Sequence, residues 1–160
     1  MIRIYGVGDT QSFQMWIDLL TGANPIYFIV DDSVISINFG RNPNIKSVHL
    51  TSIRVGAEPG AETAELKWLM HFLSDIGESS RVEEIKLDVD VLDSTVDWSL
   101  WEGVDHILAG TNFQSLRKVH VELSGWQIGS FDSDLFPASC RGLAASLPLL
   151  QAGGILVHID

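Results

Sequence analysis

Two histidines and two acidic residues stand at matched spacing near the ends of two similar segments: His120 with Glu122, and His158 with Asp160. Imidazole and carboxylate are the side chains that hold divalent metals or pass protons near neutral pH. The same alternate positions hold Lys86 and Asp88 in an earlier segment, and His49 and Thr51 in the one before that. If these segments are neighbouring strands, about 4.8 Å apart, their side chains line up in columns. One column is His49, Lys86, His120 and His158, the next is Thr51, Asp88, Glu122 and Asp160, and a third is Ser47, Glu84, Lys118 and Leu156. Polar residues at alternate positions are also what any solvated sheet face carries. Lys86, Asp88, His120, Glu122, His158 and Asp160 are therefore read as partner-contact residues, with no catalytic residue and no metal ligand assigned. The competing reading is a metal-dependent or acid/base enzyme, with His120, His158, Glu122 and Asp160 as ligands or proton carriers.

Other reactive patterns fall short of a site. Gly6-Val7-Gly8 could turn the chain into a helix whose N-terminus meets phosphate. However, Gln11 stands where the third glycine belongs, and no phosphate-loop lysine follows. Ser139-Cys140-Arg141 lacks the Gly-x-Ser-x-Gly of a nucleophile elbow, and a helical cysteine beside apolar residues is read as packing. His71 and His106 are single histidines within helical stretches. No cofactor is called for.

The columns need strands to carry them and helices to separate those strands. Residues 45–55, 82–91, 116–123 and 155–160 alternate as pleated strands do. Between them, residues 62–75 carry Leu66, Leu69, Met70, Leu73 and Ile76 on one helical stripe, and residues 97–109 carry Trp101, Val104 and Leu108. A less regular helix has Pro137 in its first turn and Leu143, Ala144 and Leu147 on its face, and Pro148 breaks or kinks it. Residues 1–44 form an irregular N-terminal part. There the spacing of Phe13, Trp16, Ile17 and Leu20 predicts a helix over residues 10–22, capped by Thr10 and ended by Gly22. Strands are expected at residues 1–7, 26–30 and 33–39. Of the five tryptophans, Trp16 and Trp101 fall on core stripes, whereas Trp68, Trp98 and Trp126 fall where packing and exposure both fit.

Three strands share one template: Ile45-x-x-Val48-x-Leu50, Val82-x-x-Ile85-x-Leu87 and Leu116-x-x-Val119-x-Val121. The last keeps only Val157-x-Ile159. A helix between consecutive strands implies a parallel sheet. The anchors 48, 85, 119 and 157 are 37, 34 and 38 residues apart. With phrases such as Ser115-Leu116-Arg117-Lys118-Val119-His120-Val121 and Leu149-Leu150-Gln151-Ala152-Gly153-Gly154-Ile155-Leu156-Val157, this part of the chain resembles the fungal F-box and leucine-rich-repeat-like proteins. The resemblance covers residues 45–160 and the repeat part alone: no F-box helix bundle is seen, and Ile53, Asp90 and Ser124 stand where ordinary repeats carry Asn or Cys. It implies an irregular leucine-rich-repeat-like solenoid or curved, mostly parallel sheet with helices on one face. It also implies a protein-recognition role akin to the substrate-recognition domains of ubiquitin ligases.

Composition bounds these readings. A chain of 160 residues, 46% apolar and 19% charged, suits one α/β domain spanning residues 1–160. A net charge of −11 with scattered Lys and Arg argues against nucleic acid as a partner. One cysteine allows no intrachain disulfide and fits a reducing compartment. Neither a secretory signal nor a membrane-length apolar run is visible. The expected setting is cytoplasmic or nuclear, and the expected partner is another protein. Self-association through the exposed edge of the last strand is the further expectation.

Overall fold

Alternating side chains need two different environments, and the strands of this protein receive them. A computed structural model describes residues 2–6, 14–19, 29–30, 45–56, 61–76, 81–92, 96–125 and 135–160. Among these, strands β1 (Ile2–Gly6), β2 (Gln14–Leu19), β3 (Ile29–Val30) and β4 (Ile45–Val55) are followed by helix α1 (Ala61–Ser74) and strand β5 (Glu84–Val91). A 3₁₀ turn (Trp98–Trp101) runs into α2 (Glu102–Leu108), and a second (Thr111–Phe113) precedes β6 (Lys118–Gly125). Helices α3 (Leu135–Ala145) and α4 (Pro148–Ala152) lead to β7 (Leu156–Ile159).

The strands form one mixed, mostly parallel sheet in the order β3-β1-β2-β4-β5-β6-β7. From β4 to β7 every pairing is parallel, as a helix in each interval requires. Val48, Leu50, Ile85, Leu87, Val119 and Val121 are buried in one core with Leu66, Leu69 and Leu73 of α1, Val104 and Leu108 of α2, and Leu143 of α3. The helices thus cover the face that carries these apolar residues, and alternation sends the intervening polar residues to the other face.

Residues 14–19 correct the sequence reading: they are strand, not helix. β2 pairs antiparallel with β1 and with β4, where Trp16 lies opposite His49 and Ile17 opposite Val48. Over six residues the letters Gln-Met-Trp-Ile-Asp-Leu satisfy both a helical and a two-residue period, so local pattern cannot choose. The backbone groups of β1 and β4 on either side supply the ladder that does. The expected cap Thr10, the stop Gly22, the strand at 33–39 and Trp126 lie outside the described residues.

Two prolines act differently from one another. Pro148 opens α4 at its first turn, where a missing N–H costs nothing, so it starts a helix as well as ending the one before. Pro137 lies in the first turn of α3. Gly154, at φ 74°, turns the chain from α4 into β7, a conformation side chains disfavour. Gly142 lets α3 approach the 3₁₀ turn so closely that an added Cβ would meet the Trp98 ring at 2.5 Å.

Asp105 is the one buried carboxylate among the described residues. Its two oxygens accept from Leu149 N at 2.8 Å and Leu150 N at 2.9 Å, satisfying the first free amides of α4 from a different helix. Sequence spacing marked 97–109 as a helix but showed no role for this residue, because the amides it serves are more than forty positions away.

Candidate functional site

The polar face is built by register. Ser47, Glu84, Lys118 and Leu156 are direct neighbours across β4 to β7, and so are His49, Lys86, His120 and His158. Asp88 lies opposite Glu122, and Asp160 joins the row through the Leu123 N to Asp160 O hydrogen bond of 2.6 Å. Thr51 departs from the expected column: an irregularity between Leu50 and Ile53 inserts an extra β4 residue opposite β5.

Three diagonal contacts tie these rows together, each reaching to the next strand and one step further along it. His49 Nε2 lies 2.7 Å from Asp88 Oδ2. Lys86 Nζ donates to Glu122 Oε2 at 2.6 Å. His120 Nε2 lies 2.5 Å from Asp160 Oδ1. The same step recurs because the strands are parallel and in step, so each cationic or imidazole group meets the carboxylate two residues beyond its neighbour. Lys86 also lies 3.4 Å from Asp88, and Lys118 donates to Glu84 at 2.7 Å.

Electrostatics follows the contacts. The hydrogen bond to Glu122 holds the Lys86 ammonium above its ordinary pKa against the opposing effect of burial, and the Asp88 charge adds to it. The hydrogen bond from His120 holds the Asp160 carboxyl below its ordinary range, with the charges of His120 and His158 adding to it. Burial pushes the Cys140 thiol up, which makes it a poor nucleophile and fits a packing role.

At the β7 end the pattern changes. His120 and His158 are direct neighbours with ring centroids 4.9 Å apart and planes at 60°. Asp160 turns one oxygen to each: Oδ1 to His120, and Oδ2 to His158 Nε2 at 3.4 Å. The structure therefore brings together three of the four residues of the metal or acid/base reading. Glu122, the fourth, is engaged by Lys86 instead. His71 and His106 are exposed helix residues. Of the tryptophans, Trp101 is fully buried, Trp68 stacks on Phe72 at 5.4 Å, and Trp98 packs at a tilt on Trp101 at 6.3 Å.

Comparison with known proteins finds no matching family model, no matching curated protein and no matching solved structure.

Proposed function

We propose that the chain is a protein-recognition module of leucine-rich-repeat type, and that it contacts its partner with the polar sheet face. Lys86, Asp88, His120, Glu122, His158 and Asp160 are the contact residues of this proposal. The observation that carries it is the in-register polar array on four parallel strands, half exposed and opposite the helix-covered face. Rigid strands hold charged groups at fixed spacing before a partner arrives, which lowers the ordering cost of binding. Alternating charge along the array favours a partner with its own alternating polar groups over a uniformly charged polymer such as nucleic acid. A repeat-like arrangement of β4 to β7 with their helices, a cytoplasmic or nuclear setting and kinship to ubiquitin-ligase recognition domains belong to the same proposal. Among the described residues no helix is long and apolar enough to cross a membrane.

Affinity capture from a matched cell extract tests the contact face. The native protein is compared with a Lys86→Glu, His120→Ala, His158→Ala variant of equal thermal stability. A protein retained by the native bait and lost by the variant supports recognition by this face. Recovery of the same proteins by both baits overturns it. Self-association through β7, which ends the sheet among the described residues, is the accompanying proposal. A monomer in sedimentation at high concentration removes it.

A further inference from the structure

The three diagonals are not equivalent. At Asp88 a histidine and a lysine meet one carboxylate, His49 at Oδ2 and Lys86 at Oδ1, and Lys86 reaches forward to Glu122 as well. At the third, two imidazoles share a single carboxylate, one oxygen each. The ligand atoms of His120, His158 and Asp160 all lie within 4.8 Å of one another. What sets the third apart is the donor type: both nitrogens at Asp160 belong to imidazoles, which can give a lone pair to a metal, whereas the second nitrogen at Asp88 is the ammonium of Lys86, which has none to give.

We propose that His120, His158 and Asp160 form a site for a divalent first-row transition ion, zinc above all, at the β7 end of the sheet. The donor set is two imidazole nitrogens and one carboxylate oxygen, which suits zinc, copper or nickel and disfavours magnesium and calcium. Bonds of about 2.0–2.2 Å to a tetrahedral ion place ligand atoms roughly 3.4 Å apart. His158 Nε2 and the nearer oxygen of Asp160 already stand at 3.4 Å. The ion replaces the His120–Asp160 hydrogen bond, and that pair widens from 2.5 Å by rotation of exposed or half-exposed side chains. The backbone need not move, because the two histidines are fixed as register partners on adjacent parallel strands.

Three protein ligands leave a tetrahedral ion one open position, filled by water or by a group from another molecule. The site is also open sterically: the His158 side chain is 57% exposed and that of Asp160 54%, whereas that of His120, on the inner strand, is 19% exposed. Glu122 stays outside the ligand set through its bond to Lys86. His49 supplies an internal control, because it has the same residue type and the same diagonal carboxylate but no second histidine beside it: its register neighbour on β5 is Lys86 and on β2 is Trp16.

The site goes beyond the recognition proposal and stands or falls separately from it. The test is calorimetric titration of the full chain with zinc chloride in neutral to mildly alkaline buffer, because an imidazole ligates only through an unprotonated nitrogen. The expected result is one ion per chain, with uptake weaker in acid because protons compete with the metal for its ligands. His158→Ala and Asp160→Asn should each weaken binding by about tenfold or more, on the scale of 10- to 100-fold losses seen around metal sites, while His49→Ala leaves it unchanged. Cobalt(II) added to the apo protein should give intense visible bands of a low-coordinate site, and the His158→Gln variant should lose them. His158 is so exposed that its variants keep the fold, which circular dichroism verifies. Absence of zinc uptake by the native chain overturns the proposal, as does uptake that persists unchanged in the His158 and Asp160 variants or vanishes with His49→Ala.

Discussion

Strands β5 and β7 read alike in sequence, yet they live in different surroundings. β5 is flanked on both sides, and its inward residues Ile85, Leu87, Val89 and Val91 are all buried. Among the described residues β7 is flanked only by β6. Its inward residues Val157 and Ile159 are half-buried, and Leu156, in the polar column, is 62% exposed. Cys140 and Ala144 of α3, with Ile155, Val157 and Ile159, line an open groove beside β7 rather than a closed core. Burial is thus a property of neighbours: the same apolar alternation makes a core where strands and helices close around it and a half-open surface where they stop. The polar rows differ too, since among the described residues only at β7 do two histidines share one carboxylate.

The comparison can be broken by truncating matched residues. Leu87→Ala should cost about 2–5 kcal/mol, as large-to-small changes in a closed core do. Ile159→Ala, its register counterpart two strands away, should cost about 1 kcal/mol or less because its site is half-solvated already. Urea denaturation of both variants decides. Equal losses would mean that β7 is as tightly enclosed as β5.

A smaller effect sharpens the boundary between the two regions. Asp105 ties α2 to the start of α4, the element that delivers β7. Replacing it with Ala removes both acceptors and leaves the Leu150 amide without its buried partner, a loss of about 1–3 kcal/mol. Hydrogen exchange should show β7 and α4 opening more readily while β4 and β5 keep their protection. Uniform loss of protection across the sheet would refute a localised role.

The smallest effect is the response to pH, which should run in opposite directions at the two places. The Asp160 carboxyl is lowered in the folded protein, chiefly by its hydrogen bond with His120. Its contribution is therefore present above the ordinary carboxyl pKa and lost as pH falls through the lowered value. Lys86 is raised, chiefly by Glu122, so its contribution is full below the ordinary lysine pKa and lost as pH climbs through the raised value. Amide exchange near β7 should quicken first in acid, and amide exchange near Lys86 first in base. Both groups are partly or fully exposed, so solvent limits each effect. A Lys86→Met variant that keeps the native alkaline profile would contradict the assignment.

Much of the β4 to β7 region was legible from residues alone. The template Val48-x-Leu50, Ile85-x-Leu87, Val119-x-Val121 set the spacing of strands, and the stripes at Leu66, Leu69 and Leu73 or Trp101, Val104 and Leu108 set the helices between them. Each repeats its period long enough to exclude the alternative. Residues 14–19 did not, because six letters satisfy two periods at once. The cluster of His120, His158 and Asp160 was half legible. Alternation placed His120 and His158 on one face, but Glu122 looked as close to them as Asp160 until the diagonal contact with Lys86 took it away.

The sequence by itself determined which residues share a face, because side-chain direction along a strand follows from covalent geometry. It determined the parallel direction of the last four strands, because a helix in each interval returns the chain to the same end. Tertiary structure alone decided the rest. It decided that residues 14–19 join the sheet, that an irregularity shifts Thr51 from its row, that Asp105 caps a distant helix, and that Asp160 rather than Glu122 meets both imidazoles. Each of these depends on a partner far away in the chain, and no local pattern of residues carries the position of a partner it does not contain.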